Sequence, residues 1–242
     1  MTDIRFVIKQ WSAWAPDVDS IADWESWSRG DRTVGTDGKA DASDLPPMLR
    51  RRLSPLARAV FHVANQCCAD GEQIPMVFSS AHGESVRTYD ILETIAGDED
   101  VSPTAFSLSV HNSIAGQYSI FRRNRQQSVT IAPGADGVMP AFLEAAGLLA
   151  EGAEEVLLIF YDEQLPKFYT PYVEDPAFPA ALALRLGRSG AGMACDIRHV
   201  PGHHPGKEMH GQMMELLRFL VTDEHQLGLG NGRGQWIWRR EG

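Results

Sequence analysis

Apolar positions along the chain change period several times, and each change predicts an element. Ile4, Phe6 and Ile8 alternate with polar neighbours, which predicts a strand from Ile4 to Trp11. A Trp-rich stretch follows, with Trp11, Trp14, Trp24 and Trp27. Residues 28–44 are polar and rich in Gly and Asp, and read as loop. Leu56, Val60, Val63 and Cys67 then recur three to four apart, the buried stripe of a helix. That helix starts at Ser54-Pro55, with Ser as N-cap and Pro at the first helical position, and runs to about Cys68 before Gly71. The run IPMVFS over 74–79 predicts a short buried strand, and Ser85 to Ile95 a helix closed by Gly97.

The second half opens with a strand at Ser128 to Ile131. A helix over Gly137 to Ala150 presents Val138, Phe142, Ala145 and Leu149 on one face. Pro140 falls in its first turn, where a missing N–H costs little. EVLLIFY over 155–161 is a continuous apolar run, the pattern of a strand covered on both faces. Residues 128–161 therefore read as strand, helix, strand: a crossover unit of an α/β protein. Residues 163–179 carry four prolines and read as loop. Ala180–Leu186 and Ala194–Val200 read as strands joined around Gly187–Gly192, residues 208–222 as a helix, and Gln235–Trp238 as a last strand.

With 242 residues and 43% hydrophobic content, the chain suits a single domain over 1–242 with a sizeable core. Its formal net charge of -10 repels phosphate backbones, which argues against nucleic acid and anionic membranes as partners. No apolar run approaches the roughly 20 residues that span a bilayer. The start MTDIRFVIKQW lacks a secretory layout, so a cytoplasmic location is expected. The three cysteines (adjacent Cys67 and Cys68, and Cys195) form no CxxC pair, and neither a disulfide framework nor a zinc site is suggested. His203 and His204 with His210 lack metal-ligand spacing, so no metal and no cofactor is expected.

Three segments carry a resemblance: IPMVFSSAHGE, then VSPTAFSLSVHNSIAGQYSI, then QSVTIAPGADGVMPAFLEAAGLLAEGAEEVLLIFYDE. In this order and at this spacing they resemble the N-terminal half of β-ketoacyl synthases, and RRRLSPLARAV near residue 55 extends the likeness. The short chain length factors of aryl-polyene pathways are similar as well. The resemblance implies a thiolase-like α/β fold: a mixed, mostly parallel sheet with helices on both faces. Since that is one repeat of two, it also implies an apolar face that only a partner covers.

Two departures bear on function. Counted along the strand and back from the helix, the family's elbow cysteine should fall at Ala135, or at Gly134 with one residue of slack. Residues 131–141 hold no Cys, Ser or Lys. Covalent acyl transfer needs a nucleophile at the helix N-terminus, where the dipole activates it and N–H groups receive the oxyanion. The family's two histidines also belong to a C-terminal repeat that residues 162–242 are too few to hold.

The resemblance therefore implies a non-catalytic partner: a chain length factor that forms a heterodimer with a catalytic ketosynthase, meets the acyl carrier protein only indirectly, and forms a homodimer when alone. By the same likeness, residues 103–122 lie near the dimer face and acyl tunnel, with Phe106, Leu108, His111, Asn112, Tyr118 and Phe121 as candidates. Arg122, Arg123 and Arg125, and Arg50-Arg51-Arg52, are basic clusters that suit an acidic carrier protein, or are solvated charge near helix ends. The tryptophans suit a partner surface or core packing. One alternative is an acyl-binding homodimer with hydrolase or decarboxylase activity and no cysteine nucleophile, which needs His82, His111 and Asp136 around one pocket. Another is a docking scaffold without influence on products.

Overall fold

The computed structural model describes residues 4–173 and 176–241. Thus 174–175, inside the expected loop 163–179, and both chain ends fall outside the described residues. The strands are β1 (Ile4–Trp14), β2 (Met76–Ser79), β3 (Ser128–Ile131), β4 (Glu155–Asp162), β5 (Ala180–Gly187), β6 (Met193–Pro201), β7 (Gln226–Gly230) and β8 (Gly234–Arg240). They form one sheet in the order β3-β2-β4-β5-β1-β6-β8-β7. The helices are α1 (Ile21–Ser28), α2 (Pro47–Arg50), α3 (Pro55–Cys67), α4 (Ser85–Ala96), α5 (Pro103–Ser107), α6 (Ser113–Arg122), α7 (Met139–Ala150) and α8 (Met209–Val221).

The central strand β4 shows why both faces are covered. Val156, Leu158 and Phe160 join one core, with Phe142 and Leu149 of α7 and Met213 and Leu217 of α8. Leu157, Ile159 and Tyr161 join the other, with Val60 and Val63 of α3 and Tyr118 of α6. Period two sends alternate side chains to opposite faces. Each fully buried side chain of this size stabilises by roughly 1.5–3 kcal/mol.

The sheet is mixed, but mostly antiparallel, which corrects the mostly parallel expectation. Among the described residues only β2 pairs in parallel, with β3 and β4. The pairs β4–β5, β5–β1, β1–β6, β6–β8 and β8–β7 are antiparallel. The expectation extrapolated from the 128–161 crossover, where α7 provides the long return that parallel strands need. The β2–β3 connection carries α4 to α6 and is long enough as well, whereas the β7–β8 link is too short for that. The two arms β5 and β6 are not neighbours either: β1 lies between them, and their link passes over Lys9. Gly192 (φ +139°) is obligatory there, because a Cβ would strike the backbone of Ile8.

A register shift between Ile8 and Gln10 explains the tryptophans. It reverses the side-chain parity of β1, as a bulge does. Phe6 and Ile8, then Ala13, face the α7–α8 core, while Trp14 faces α3. Trp24 is fully buried and its indole N–H donates to the Ala13 carbonyl at 3.0 Å.

Helix α3 begins as its sequence dictates: Ser54 Oγ accepts from the Ala57 N–H at 3.0 Å. Helices α1, α2, α5 and α6 and strand β7 went unforeseen, two of them despite a local signal. Helix α1 has a capping box between Ser20 and Asp23, legible as S-x-x-D. Strand β7 turns into β8 at Asn231-Gly232, the commonest hairpin dipeptide. Among the described residues, no helix is long and apolar enough to cross a membrane.

Candidate functional site

Strands β2, β3 and β4 run parallel, so their C-terminal ends meet on one side of the sheet. Ligand sites of α/β sheets lie at such ends. Beyond β2 the chain turns through Ser80–Gly83. Buried Asp162, the last residue of β4, accepts from Ser80 Oγ at 2.8 Å and from the N–H groups of Ala81 (3.2 Å) and His82 (3.3 Å). Ser80 Oγ in turn accepts from the Gly83 N–H at 2.7 Å. Across the turn, His111 Nε2 donates to the Ser80 carbonyl at 2.9 Å. Gly83 (φ +57°) admits no side chain, since a Cβ would lie 2.8 Å from the His111 ring.

Carboxylates crowd this end of the sheet. Burial pushes Asp162 above the usual range, and the hydrogen bonds it accepts only partly offset that. Glu163 is pushed up to about 8, first by burial and then by the charges of Glu84 and Asp162. Buried Glu84 accepts from Ser54 Oγ at 2.6 Å and from Arg87 Nε at 2.9 Å.

Beyond β3 comes the strand-to-helix turn. Residues Gly134–Asp136 make one 3-10 turn, Gly137 follows at φ 63° and ψ -132°, and α7 starts at Met139. This region of backbone space is essentially open to glycine alone. The strained point is thus Gly137, while Gly134 and Ala135 are exposed. Gln212, from α8, is 1% exposed. Its Oε1 accepts from the Val138 N–H at 3.2 Å, and its Nε2 donates to the carbonyls of Lys207 (2.9 Å) and Gly230 (3.1 Å). Asp136 accepts from Asn231 Nδ2 at 2.8 Å and from Arg233 at 2.9 Å. Between these segments lies an open cavity of about 420 Å³, lined by Ala81, His82, Gly134, Ala135, Lys207 and Asn231 among others.

The expected residues of 103–122 divide three ways. Phe106 is 63% exposed on α5, and Asn112 is exposed at the start of α6. Leu108 and Phe121 line a separate groove of about 510 Å³, beside Leu49, Arg52 and Ile120. Tyr118 is wholly buried, stacked edge-on to Phe61 and hydrogen-bonded through its hydroxyl to Asn65 at 3.2 Å. It is a core residue of this chain and offers no surface to a partner. Arg122 is withdrawn from the surface as well. It donates to the Cys68 carbonyl and to Asp70, both at 3.0 Å, and to the Ala69 carbonyl, closing the C-terminal end of α3. Arg123 and Arg125 are exposed.

The hydrolase set is not assembled. His82 lines the cavity, His111 is bound to Ser80 and is absent from the lining, and Asp136 is held by Asn231 and Arg233. His203 Nδ1 donates to the Gly232 carbonyl at 3.0 Å in a loop. Among the described residues, no group of three His, Cys, Asp or Glu side chains is placed to hold a metal.

The sequence reading overlooked Gln212 and Asn231. Gln212 had a signal: it interrupts the inward stripe of Met209, Met213 and Leu216, and a buried amide must find partners.

An α/β sheet with helices on both faces, and a pocket where parallel strand ends meet a glycine-strained strand-to-helix turn, defines a ketosynthase-type domain. The chain belongs to the family described as beta-ketoacyl synthase, N-terminal domain, which it matches over residues 24–239. It is similar, at 28% identity and a TM-score of 0.83, to a chain in the structure of the ketosynthase ApeO in complex with its chain length factor ApeC from Xenorhabdus doucetiae. That match covers 97% of this chain and 99% of the other. The ishigamide ketosynthase/chain length factor shares the fold, at 16% identity and a TM-score of 0.62, over 81% of this chain and 67% of the other. So does AntDE:AntF, a type II ketosynthase in complex with its acyl carrier protein, at 17% identity and a TM-score of 0.59, over 83% and 70%. No curated protein matches.

Proposed function

We propose that this chain is a non-catalytic chain length factor, pairing with a catalytic β-ketoacyl-ACP synthase and shaping its acyl tunnel in aryl-polyene-type biosynthesis. The carrying observation is the turn between β3 and α7. Its backbone has the strained strand-to-helix shape that serves a nucleophile, yet residues 131–141 contain no Cys, Ser or Lys. A backbone shaped for acyl capture without a group to capture acyl is the signature of a partner subunit.

Two further observations support the reading. The 28%-identical chain from a ketosynthase and chain length factor complex is matched over 99% of its length, whereas the other ketosynthase-type chains extend well beyond the match. That fits the shorter partner. In addition, α4, α5 and α6 leave Leu92, Ile95, Phe106 and Ile120 between 50% and 79% exposed. Large apolar side chains gathered on one set of neighbouring helices are what a subunit interface covers. Phe106, with Leu108 and Phe121 in the adjoining groove, are the residues this reading assigns to the dimer face and tunnel end, and Arg123 and Arg125 remain available to a carrier protein.

The test is co-expression with an aryl-polyene-type ketosynthase from the same genome, followed by size exclusion and an elongation assay. The expected result is a 1:1 complex whose product length depends on this chain and shifts in Phe106→Ala. Absence of a complex, with turnover of acyl thioesters by the isolated chain, would overturn the proposal.

A further inference from the structure

Gly137 and Gln212 occupy the same space. A Cβ built on Gly137 would fall far inside van der Waals contact with Cδ, Oε1 and Nε2 of Gln212 at once. A contact of this kind is cheap when the opposing side chain can swing aside. Gln212 cannot do so freely: it is 1% exposed, and its amide is tied to Val138, Lys207 and Gly230. Of the three, Lys207 lines the 420 Å³ cavity; Val138 follows the turn whose Gly134 and Ala135 line it, and Gly230 precedes Asn231, which lines it as well. The amide also takes the Val138 N–H, a donor at the N-cap of α7 of the type an oxyanion or thiolate would use.

We propose that Gln212 is an internal plug of the elbow: its amide fills the volume that a side chain at position 137 would require and occupies the N–H beside it. The turn is then silenced twice, once by the missing nucleophile and once by a side chain from a distant helix. A thiol at position 137 cannot by itself make a reactive site; Gln212 must go too. This deepens the reading of a non-catalytic subunit and rests on it for its biological meaning.

The experiment compares Gly137→Cys, Gln212→Gly and the double variant in the full-length isolated chain. The probe is iodoacetamide, and the rate of labelling at position 137 is read by peptide mass across pH. The native thiols give a low background, since Cys67, Cys68 and Cys195 are all buried. The double variant is expected to label at least tenfold faster than Gly137→Cys, with its pH profile moved to lower pH, because the freed α7 N-terminus favours thiolate. Equal rates with and without Gln212 would overturn the plug. If the substituted turn fails to fold, hydrogen exchange in Gln212→Ala decides: the Val138 amide should lose protection, and unchanged protection overturns the proposal. Pairing with a ketosynthase is not read in this experiment, so a failed heterodimer and a failed plug are told apart.

Discussion

The two ends of the parallel strands treat charge in opposite ways. At the N-terminal end, Arg185 lies between Glu72 and Glu155, with its NH1 2.9 Å from Glu72, and Lys9 pairs with Glu155 as well. Burial pushes both carboxyls up, but Arg185 with the Ala69 N–H outweighs it at Glu72, and Lys9 with Arg185 at Glu155, so both lie below the usual range. At the C-terminal end, Glu84, Asp162 and Glu163 crowd together with Arg87 as the nearby cation, and Asp162 and Glu163 rise. One end is electrostatically closed; the other stores repulsion beside a cavity and a strained turn. Functional sites concentrate such unfavourable arrangements, which the rest of the fold must hold in place. The difference sets the cavity end of the parallel strands apart from the opposite end.

The largest expected effect breaks the closed end. Arg185→Ala leaves two carboxylates partly buried without their main cation and should cost about 2–3 kcal/mol at pH 7 in urea denaturation, discounted for their partial exposure. Glu72 and Glu155 have lowered values in the fold, so the wild-type contribution is present above about 4.5 and lost as pH falls through the folded values. The gap between variant and wild type should therefore close in acid.

Relieving the crowded end has the opposite sign. Glu163 is raised from 4.5 to about 8, so its favourable contribution is complete below 4.5 and lost as pH rises through about 8. Glu163→Gln should leave stability near pH 4.5 unchanged and raise it by about 1–2 kcal/mol above pH 8, after discounting for screening. A melting series across pH checks this; parallel curves for the two proteins would refute it.

Ser54 connects helix α3 to the crowded end, capping the helix while donating to Glu84. Ser54→Ala should cost about 1 kcal/mol, the usual worth of an N-cap, measured by denaturation at pH 7. The smallest effect lies away from both ends. His62 pairs with Asp19 at 2.8 Å and with the Asp41 carbonyl at 3.2 Å, pinning the segment before α3. The Asp19 hydrogen bond raises His62 above 6.5 against the burial that lowers it. Its contribution is thus full below 6.5 and fades as pH rises through the folded value. His62→Gln should flatten stability by about 0.5 kcal/mol between pH 6 and 8.

Legibility followed range along the chain. Helix α3, strand β3, helix α7 and strand β4 were readable because periodicity, Ser-Pro starts and Gly stops act within a few residues. The burial of both faces of β4 was readable for the same reason. Elbow counting pointed to Gly134 and Ala135, which line the cavity, and what it could not show is the 3-10 turn there, with positive φ at both Gly134 and Gly137. Arg122 read as a surface cation because sequence shows its charge and not the carbonyls of Cys68 and Ala69 that enclose it.

By itself, then, the amino-acid sequence determined strands β1 to β6 and β8, helices α3, α4, α7 and α8, the two-sided core and the family's motif order. Each is a property of a residue and its near neighbours. Only the tertiary structure decided that β1 sits between β5 and β6, that most strand pairs are antiparallel, and that Gln212 fills the space beside Gly137. Those outcomes depend on which distant segments share a volume, and hydrogen bonding and close packing settle that only once the whole sheet has assembled.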